Sequence, residues 1–257
     1  MKRRPGDRVP SAMQTSIELN EPPSTLLDRA SLFLDLDGTL AEFVRPDESI
    51  EFGDEMRSLL RRLSARLGGR LALVSGRALS DLAETVGLDE LELAGSHGLE
   101  RRQADGRISG PPAPPSLPQL LDEVRRFARQ HELTHEEKPA GVAIHFRGRP
   151  ELDETVTRFA ADAAGRHDLL LQSGSMVREL RAKGADKGDV VRALMQEKPF
   201  SEGRPLFVGD DLTDEDGFAA AMECGGAGVL VGKPRPTAAQ YRIGSVAGVR
   251  AWLADQQ

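Results

Sequence analysis

Five short apolar runs, each broken off by polar or glycine residues, set the fold class of this chain. They are Leu32-Phe33-Leu34 before Asp35, Leu71-Ala72-Leu73-Val74 before Ser75, Leu91 to Ala94 before Gly95, Leu206-Phe207-Val208 before Gly209, and Val229-Leu230-Val231 before Gly232. Runs this short and apolar at all but one position, Glu92, suit strands buried on both faces of a parallel sheet. Helical patterns lie between several of them. Asp54 to Leu67 sets Met56, Leu59, Leu60, Leu63 and Leu67 along one stripe that Gly68-Gly69 ends, and Ser80 to Val86 and Lys187 to Met195 behave similarly. Strands alternating with helices predict an α/β fold with a Rossmann-like, doubly wound parallel sheet. In such sheets the polar residues just past the strand ends line the ligand crevice, which puts Asp35, Ser75, His97 and Asp210 at one rim.

The alternation is interrupted at Gly106 to Pro118, where five prolines in thirteen residues read as a linker. Beyond it come a helical stretch (Leu120 to Gln130), two extended ones (Leu133 to Lys138, Val142 to Arg147), a second helix (Leu152 to Gly165) and two more extended segments (Leu169 to Gln172, Met176 to Arg181). Helices over a small sheet, inserted into the first domain, predict an α/β cap. The expected organisation is a disordered tail over 1–25, a core of 26–107 and 182–257, and a cap domain over 108–181.

Composition removes several function classes. The formal net charge of -7 offers no basic footprint for nucleic acid. No apolar run reaches transmembrane length, and Pro5 to Pro23 holds no apolar signal-peptide core after the basic start. Cys224 is the single cysteine, so neither an intrachain disulfide nor a cysteine-rich zinc site can form, and a cytoplasmic setting is expected.

Four segments bear chemistry. In Leu34-Asp35-Leu36-Asp37-Gly38-Thr39-Leu40, strand alternation sets Asp35 and Asp37 on one side. Two carboxylates at a strand end repel unless a cation or a shared proton compensates. Mg²⁺, held by few carboxylates plus substrate phosphate and water, meets that need. A carboxylate can also attack phosphorus, splitting one hard displacement into two easier ones. A lone Asp-x-Asp would read as a solvated acidic turn; the full motif behind an apolar strand does not. Ser75-Gly76-Arg77 brings a hydroxyl and a backbone amide to a strand end, donors suited to phosphate oxygens, although alone the tripeptide is also a plain turn. Lys187 opens a helix, where the dipole disfavours a cation, so it calls for an anion nearby or for the flanking Asp186 and Asp189. Gly209-Asp210-Asp211-Leu212-Thr213-Asp214-Glu215-Asp216 follows a buried strand, so some of its acids face the crevice, where a further metal ligand is needed.

In this order the four segments resemble the haloacid dehalogenase superfamily, over nearly the whole chain after residue 25. The resemblance implies that Asp35 is the nucleophile and Asp37 the acid/base, and that Ser75, Gly76, Arg77 and Lys187 hold the phosphoryl group. It further implies Mg²⁺ on Asp35, the Asp37 carbonyl and Asp210, with Asp214 acting through water. Gly95-Ser96-His97-Gly98-Leu99-Glu100, Glu136-Glu137-Lys138, Ala143-Ile144-His145-Phe146-Arg147 and Gly209 to Glu215 look, more narrowly, like the trehalose-6-phosphate phosphatases. That likeness implies sugar binding by His97, Glu136, Lys138, Arg147 and Glu179, and a trehalose-phosphate synthase as functional partner. Any one of the cap residues alone would read as a charged, solvent-facing strand residue.

The same chemistry serves other esters, including sucrose phosphate, mannosyl-phosphoglycerate and glucosyl-glycerol phosphate, and a phosphosugar mutase is a further alternative. A catalytically silent sugar-phosphate-binding domain is the rival of another class, but such domains typically lose the nucleophile or a metal ligand, and Asp35, Asp37, Lys187 and Asp210 are all present. One departure bears on the sugar: family members usually carry Lys four residues before the cap Glu, where this chain has Ser175.

Overall fold

The computed structural model describes residues 19–42, 52–110, 112–174, 176–184 and 186–255. In chain order the large sheet begins with β1 (Ala30–Leu34), helix α1 (Asp54–Arg66), β2 (Leu71–Val74), helix α2 (Leu79–Val86), β3 (Glu92–Gly95), β4 (Glu100–Arg102) and β5 (Ile108–Ser109). The chain then builds a second layer from helix α3 (Leu117–His131), β6 (Thr134–Lys138), β7 (Gly141–His145), helix α4 (Asp153–His167), β8 (Leu170–Gly174) and β9 (Val177–Arg181). It returns through helix α5 (Lys187–Leu194), β10 (Arg204–Gly209), helix α6 (Glu215–Glu223), β11 (Ala227–Val231), β12 (Tyr241–Ile243) and helix α7 (Val246–Ala254).

The large sheet runs β12-β11-β10-β1-β2-β3-β4-β5. Its first six strands are parallel, and β4 and β5 extend it as an antiparallel edge. The five apolar runs of the sequence form its centre. Strand alternation divides their side chains between two cores. Leu32, Leu34, Leu71, Leu73, Val208 and Val229 pack with α1, α2 and α7, while Phe33, Ala72, Val74, Phe207 and Leu230 pack with α5 and α6. The second layer is an antiparallel sheet, β6-β7-β9-β8, whose own core joins α3 and α4 through Leu120, Val124, Ile144, Val156 and Leu180.

Helix termini follow local chemistry. Asp54 and Glu55 place negative charge in the first turn of α1, and Gly68 and Gly69, at φ 61° and 83°, end the stripe in the left-handed region. Asp186 caps α5 through a capping box with Asp189, which fixes Lys187 as the first helical residue.

Two expectations change. Residues 19–25 do not belong to a disordered tail: Asn20 bridges to Tyr241 and accepts the Arg242 N–H at 2.9 Å, extending the sheet edge. The expected tail from 1 to 18 lies outside the described residues. The stretch read as a linker starts as β5, because Arg101 and Arg102 of β4 offer it a free backbone edge.

Candidate active site

The crevice forms at the carboxyl ends of the parallel strands, beside β1, where the strand order reverses, β2 and β3 continuing to one side and β10 to β12 to the other. Asp35 follows β1 directly, and its N–H donates to Val208 O at 3.0 Å, so β10 fixes its height. Lys187 enters from α5 and donates to Asp35 Oδ1 at 2.8 Å and to Asp214 Oδ1 at 2.6 Å. The other Asp214 oxygen accepts the backbone N–H groups of Asp210 (2.8 Å) and Asp211 (2.9 Å). Gly209 is required here, since a Cβ would overlap the Asp214 carboxyl. Burial raises the Asp35 carboxyl well above the usual range; Lys187 opposes the rise while Asp214 and Asp210 add to it. Burial works against the Lys187 ammonium too, but Asp214 and Asp35 outweigh it and hold the lysine charged. Asp210 is pushed up to about 7 by burial and by the neighbouring Asp214 and Asp211.

One ammonium among three carboxylates leaves this cluster short of positive charge. Asp35, Asp210 and Asp214 each offer an oxygen within 4.8 Å of the others. A hard, oxygen-only donor set of this kind fits a divalent cation. Because Lys187 and two backbone amides already use both Asp214 oxygens, Asp35 and Asp210 are the ligands best placed to touch an ion, with Asp214 behind them.

Ser75 and its neighbours close the opposite side. The Ser75 hydroxyl accepts the Arg77 N–H at 3.1 Å. Arg77, expected among the phosphate-binding residues, has two carboxylate partners here. Its guanidinium grips Asp37 bidentately, at 2.7 and 2.8 Å, and reaches Asp81 at 2.9 Å. Although burial works against its charge, the pair with Asp37 raises its proton affinity above that of a free arginine. Asp37, expected among the metal residues, thus directs its carboxylate to Arg77 rather than to the Asp35-Asp210-Asp214 cluster, which leaves only its backbone carbonyl for an ion.

The second sheet faces this rim and encloses a cleft of about 990 Å³. Glu136, Ala143, Glu179 and Gln172 form one cross-strand row, and the small Ala143 leaves the middle of the row open. Glu136 lies 3.5 Å from His145 and 4.0 Å from Lys138. Lys138 donates to Glu179 Oε2 at 3.0 Å and to Gly76 O at 2.6 Å, tying the two layers together. Burial alone would raise the Glu179 carboxyl, but Lys138 and the His97 ring hold it down to about 2. Arg147 lies just past β7, exposed at the rim of the same cleft.

His97 reaches the cleft from the large sheet. Ser96, His97 and Gly98 are consecutive left-handed residues at φ 48°, 57° and 100°. Such backbone costs about 1–3 kcal/mol at a non-glycine position. It turns the His97 ring against Gly76, where a Cβ would stand 2.6 Å from His97 Cε1, and towards Glu179 at 3.3 Å. Every site residue named from the sequence, apart from Asp210 and Asp214, lines this one cleft.

Sequence reasoning missed three residues. His145 and Gln172 line the cleft; Gln172 stands opposite Glu179 and His145 lies 3.5 Å from Glu136, contacts that leave no mark in the sequence. Arg235 donates to the backbone carbonyls of Asp211 (2.8 Å) and Asp210 (3.3 Å) while paired with Glu215, bracing the acidic loop. Its place just past the β11 strand end was the available signal.

A buried carboxylate beside a buried ammonium, an acidic cluster suited to a cation and a polar lid define a phosphoryl-transfer site on a haloacid-dehalogenase fold. Solved structures share that fold: the Candida albicans trehalose-6-phosphate phosphatase C-terminal domain superposes with TM-score 0.79 at 21% identity, covering 93% of this chain and 97% of that one. A haloacid dehalogenase-like hydrolase from Bacteroides thetaiotaomicron gives TM-score 0.63 at 17% identity, over 88% and 98%. The chain belongs to the trehalose-phosphatase family, whose model matches residues 33–246. It is 36% identical to a Sinorhizobium fredii protein described as a probable trehalose-phosphate phosphatase, over 89% of this chain and 86% of the relative. It is 33% identical to the Escherichia coli trehalose-6-phosphate phosphatase, over 91% and 89%.

Proposed function

We propose that this protein hydrolyses trehalose 6-phosphate to trehalose and phosphate through a phospho-aspartate on Asp35, with Mg²⁺ as cofactor. The observation that carries this reading is the pairing of Asp35 with Lys187 at the floor of a cleft whose roof is Glu136, Lys138 and Glu179. An Asp35 oxygen attacks phosphorus, and the bond from phosphorus to the sugar oxygen breaks with its electron pair on that oxygen. Asp37 gives the departing oxygen a proton, then takes one from the water that attacks the acyl phosphate and frees Asp35. To do so it must release at least one edge of its pair with Arg77. Lys187 and the Ser75 hydroxyl face the phosphoryl oxygens, joined by the Gly76 amide. Asp35, Asp210 and the Asp37 carbonyl would hold Mg²⁺, which would supply charge neutralisation for the phosphoryl group.

We take the large-sheet layer, from Asn20 through β5 and from α5 through α7, as the core, and the layer from α3 through β9 as the cap. The cap contributes acceptors and cationic donors for sugar hydroxyls: Glu136, Lys138, Arg147, Glu179 and, from the core, His97. No helix among the described residues is long and apolar enough to cross a membrane. With Cys224 the single cysteine, we place the enzyme in the cytoplasm, supplied by a trehalose-phosphate synthase. The test is phosphate release from a panel of sugar phosphates with and without Mg²⁺. The reading expects trehalose 6-phosphate to give the highest kcat/KM and chelation to abolish turnover; preference for another ester would replace the substrate while keeping the chemistry.

A further inference from the structure

Gln172 lies on β8 directly opposite Glu179 of β9, and its side chain sits between two groups that fix its orientation. Arg181 Nε donates to Gln172 Oε1 at 2.7 Å, so the amide oxygen points to the guanidinium. The amide NH₂ must then point to the His97 ring, where Gln172 Nε2 lies 3.1 Å from Nδ1 and 2.9 Å from Nε2. An NH₂ group needs an acceptor there, so one ring nitrogen carries no proton. Glu179 decides which. Its Oε2 lies 3.3 Å from His97 Nε2, and a carboxylate needs a donor. A proton on Nε2 meets Glu179 and leaves Nδ1, 3.1 Å from the Gln172 amide nitrogen, as the acceptor of the ring. Lys138 and His97 both engage Oε2, which leaves the buried Oε1 without a hydrogen-bond partner among the described residues. A buried, unsatisfied carboxylate oxygen at the roof of the cleft is an acceptor held ready for a hydroxyl.

We propose that Gln172 is a positioning residue for substrate: through His97 it fixes the orientation of Glu179, so that Glu179 Oε1 is aimed at a sugar hydroxyl. The chain Arg181 to Gln172 to His97 to Glu179 crosses from the second sheet to the large sheet and back. It forms only when the two layers are in contact, so the acceptor is completed by closure. Without the Gln172 donor the opposite tautomer becomes accessible, and its Nε2 lone pair would repel Glu179. The inference rests on the sugar-phosphate reading above for the identity of the hydroxyl, but not for the tautomer.

The experiment is ¹⁵N NMR of the histidine side chains, with His97 assigned by loss of its signals in His97→Asn, alongside steady-state kinetics on trehalose 6-phosphate with Mg²⁺. In the wild type, His97 should show a protonated Nε2 and a bare Nδ1. Gln172→Glu keeps the length and the acceptor for Arg181 but loses the donor, so Nδ1 should become protonated. KM should rise about tenfold or more, as expected for losing a hydrogen bond to a charged group, with kcat falling by less than KM rises. Gln172→Asn, too short to span both partners, should raise KM in the same way and serves if the first variant does not fold. A proton on Nδ1 in the wild type, or an unchanged KM in a folded variant whose tautomer has moved, would overturn the proposal. If the wild type does not hydrolyse trehalose 6-phosphate, the substrate reading falls, and the His97 tautomers of wild type and Gln172→Glu alone decide.

Discussion

The Lys187 ammonium stands 2.8 Å from Asp35, both side chains buried and 152 positions apart in sequence. The contact joins the two halves of the split core, and Lys187 extends it to Asp214 at 2.6 Å. Replacing Lys187 with Met leaves two buried carboxylates facing each other, which should cost about 3–5 kcal/mol of stability. Loss of a donor from a charged transition state should also lower kcat by roughly 10²–10³-fold. Added Mg²⁺ should raise the melting temperature of Lys187→Met more than that of wild type. Equal shifts would mean that the metal and the lysine do not share these carboxylates.

Arg77 is not interchangeable with lysine at its site. Its two edges hold Asp37 and Asp81 at once, a fork that an ammonium cannot reproduce. Arg77→Lys should lower kcat by about tenfold or more, because losing bidentate geometry is comparable to losing one charge-assisted hydrogen bond. Thermal stability should change far less, since Asp37 and Asp81 both keep access to water. A wild-type kcat would show that Arg77 does not orient Asp37.

The central strands were legible because they are buried on both faces, so most positions are apolar, with Ser31 and Glu92 as buried polar exceptions; Leu32 to Leu34 and Leu206 to Val208 are cases in point. The edge strands were not. Glu100–Arg102, Ile108–Ser109 and Tyr241–Ile243 are two or three residues long and partly exposed, so neither alternation nor apolar content marks them. The catalytic floor was readable for a similar reason: Asp35 and Asp210 each follow a central strand, and strand ends meet at one rim. Pairings across the chain carry no such periodic mark. Arg77 on Asp37, Gln172 on His97 and Arg235 on the acidic loop depend on how separate elements pack.

The Lys138–Glu179 pair makes stability depend on acid. Burial opposes ionisation of Glu179, but Lys138 and His97 hold its carboxyl down to about 2, against an ordinary value of 4.5. A carboxyl depressed on folding stabilises the native state fully above its unfolded value, and loses that contribution as pH falls through the folded one. The contribution of Glu179 should therefore be present above about pH 4.5 and fade towards about pH 2. Lys138→Met removes the main counter-charge, so its stability deficit against wild type should be large at pH 6 and shrink towards pH 3. Urea unfolding at the two pH values measures this; a deficit independent of pH would contradict the assignment.

Ser175 lies outside the described residues, but its neighbours Gly174 and Met176 line the cleft. The family resemblance read from the sequence implies a Lys at this place, so Ser175→Lys should lower KM for trehalose 6-phosphate with little change in kcat. Arg178 does not fill the role: it lies on the far side of β9, bonded to Thr157 and Asp153 of α4 and stacked over Phe146. An unchanged or higher KM would point to a different sugar, or to another residue already serving the phosphate ester.

The central claim is that Asp35 becomes phosphorylated during turnover, and acid-quench mass spectrometry tests it most directly. Protein mixed with trehalose 6-phosphate and Mg²⁺, quenched within the first turnovers and digested, should show a phosphoryl group on the peptide containing Asp35. Asp35→Asn should show none, with turnover reduced by several orders of magnitude. An unmodified Asp35 peptide, together with Asp35→Asn activity within about tenfold of wild type, would contradict the account.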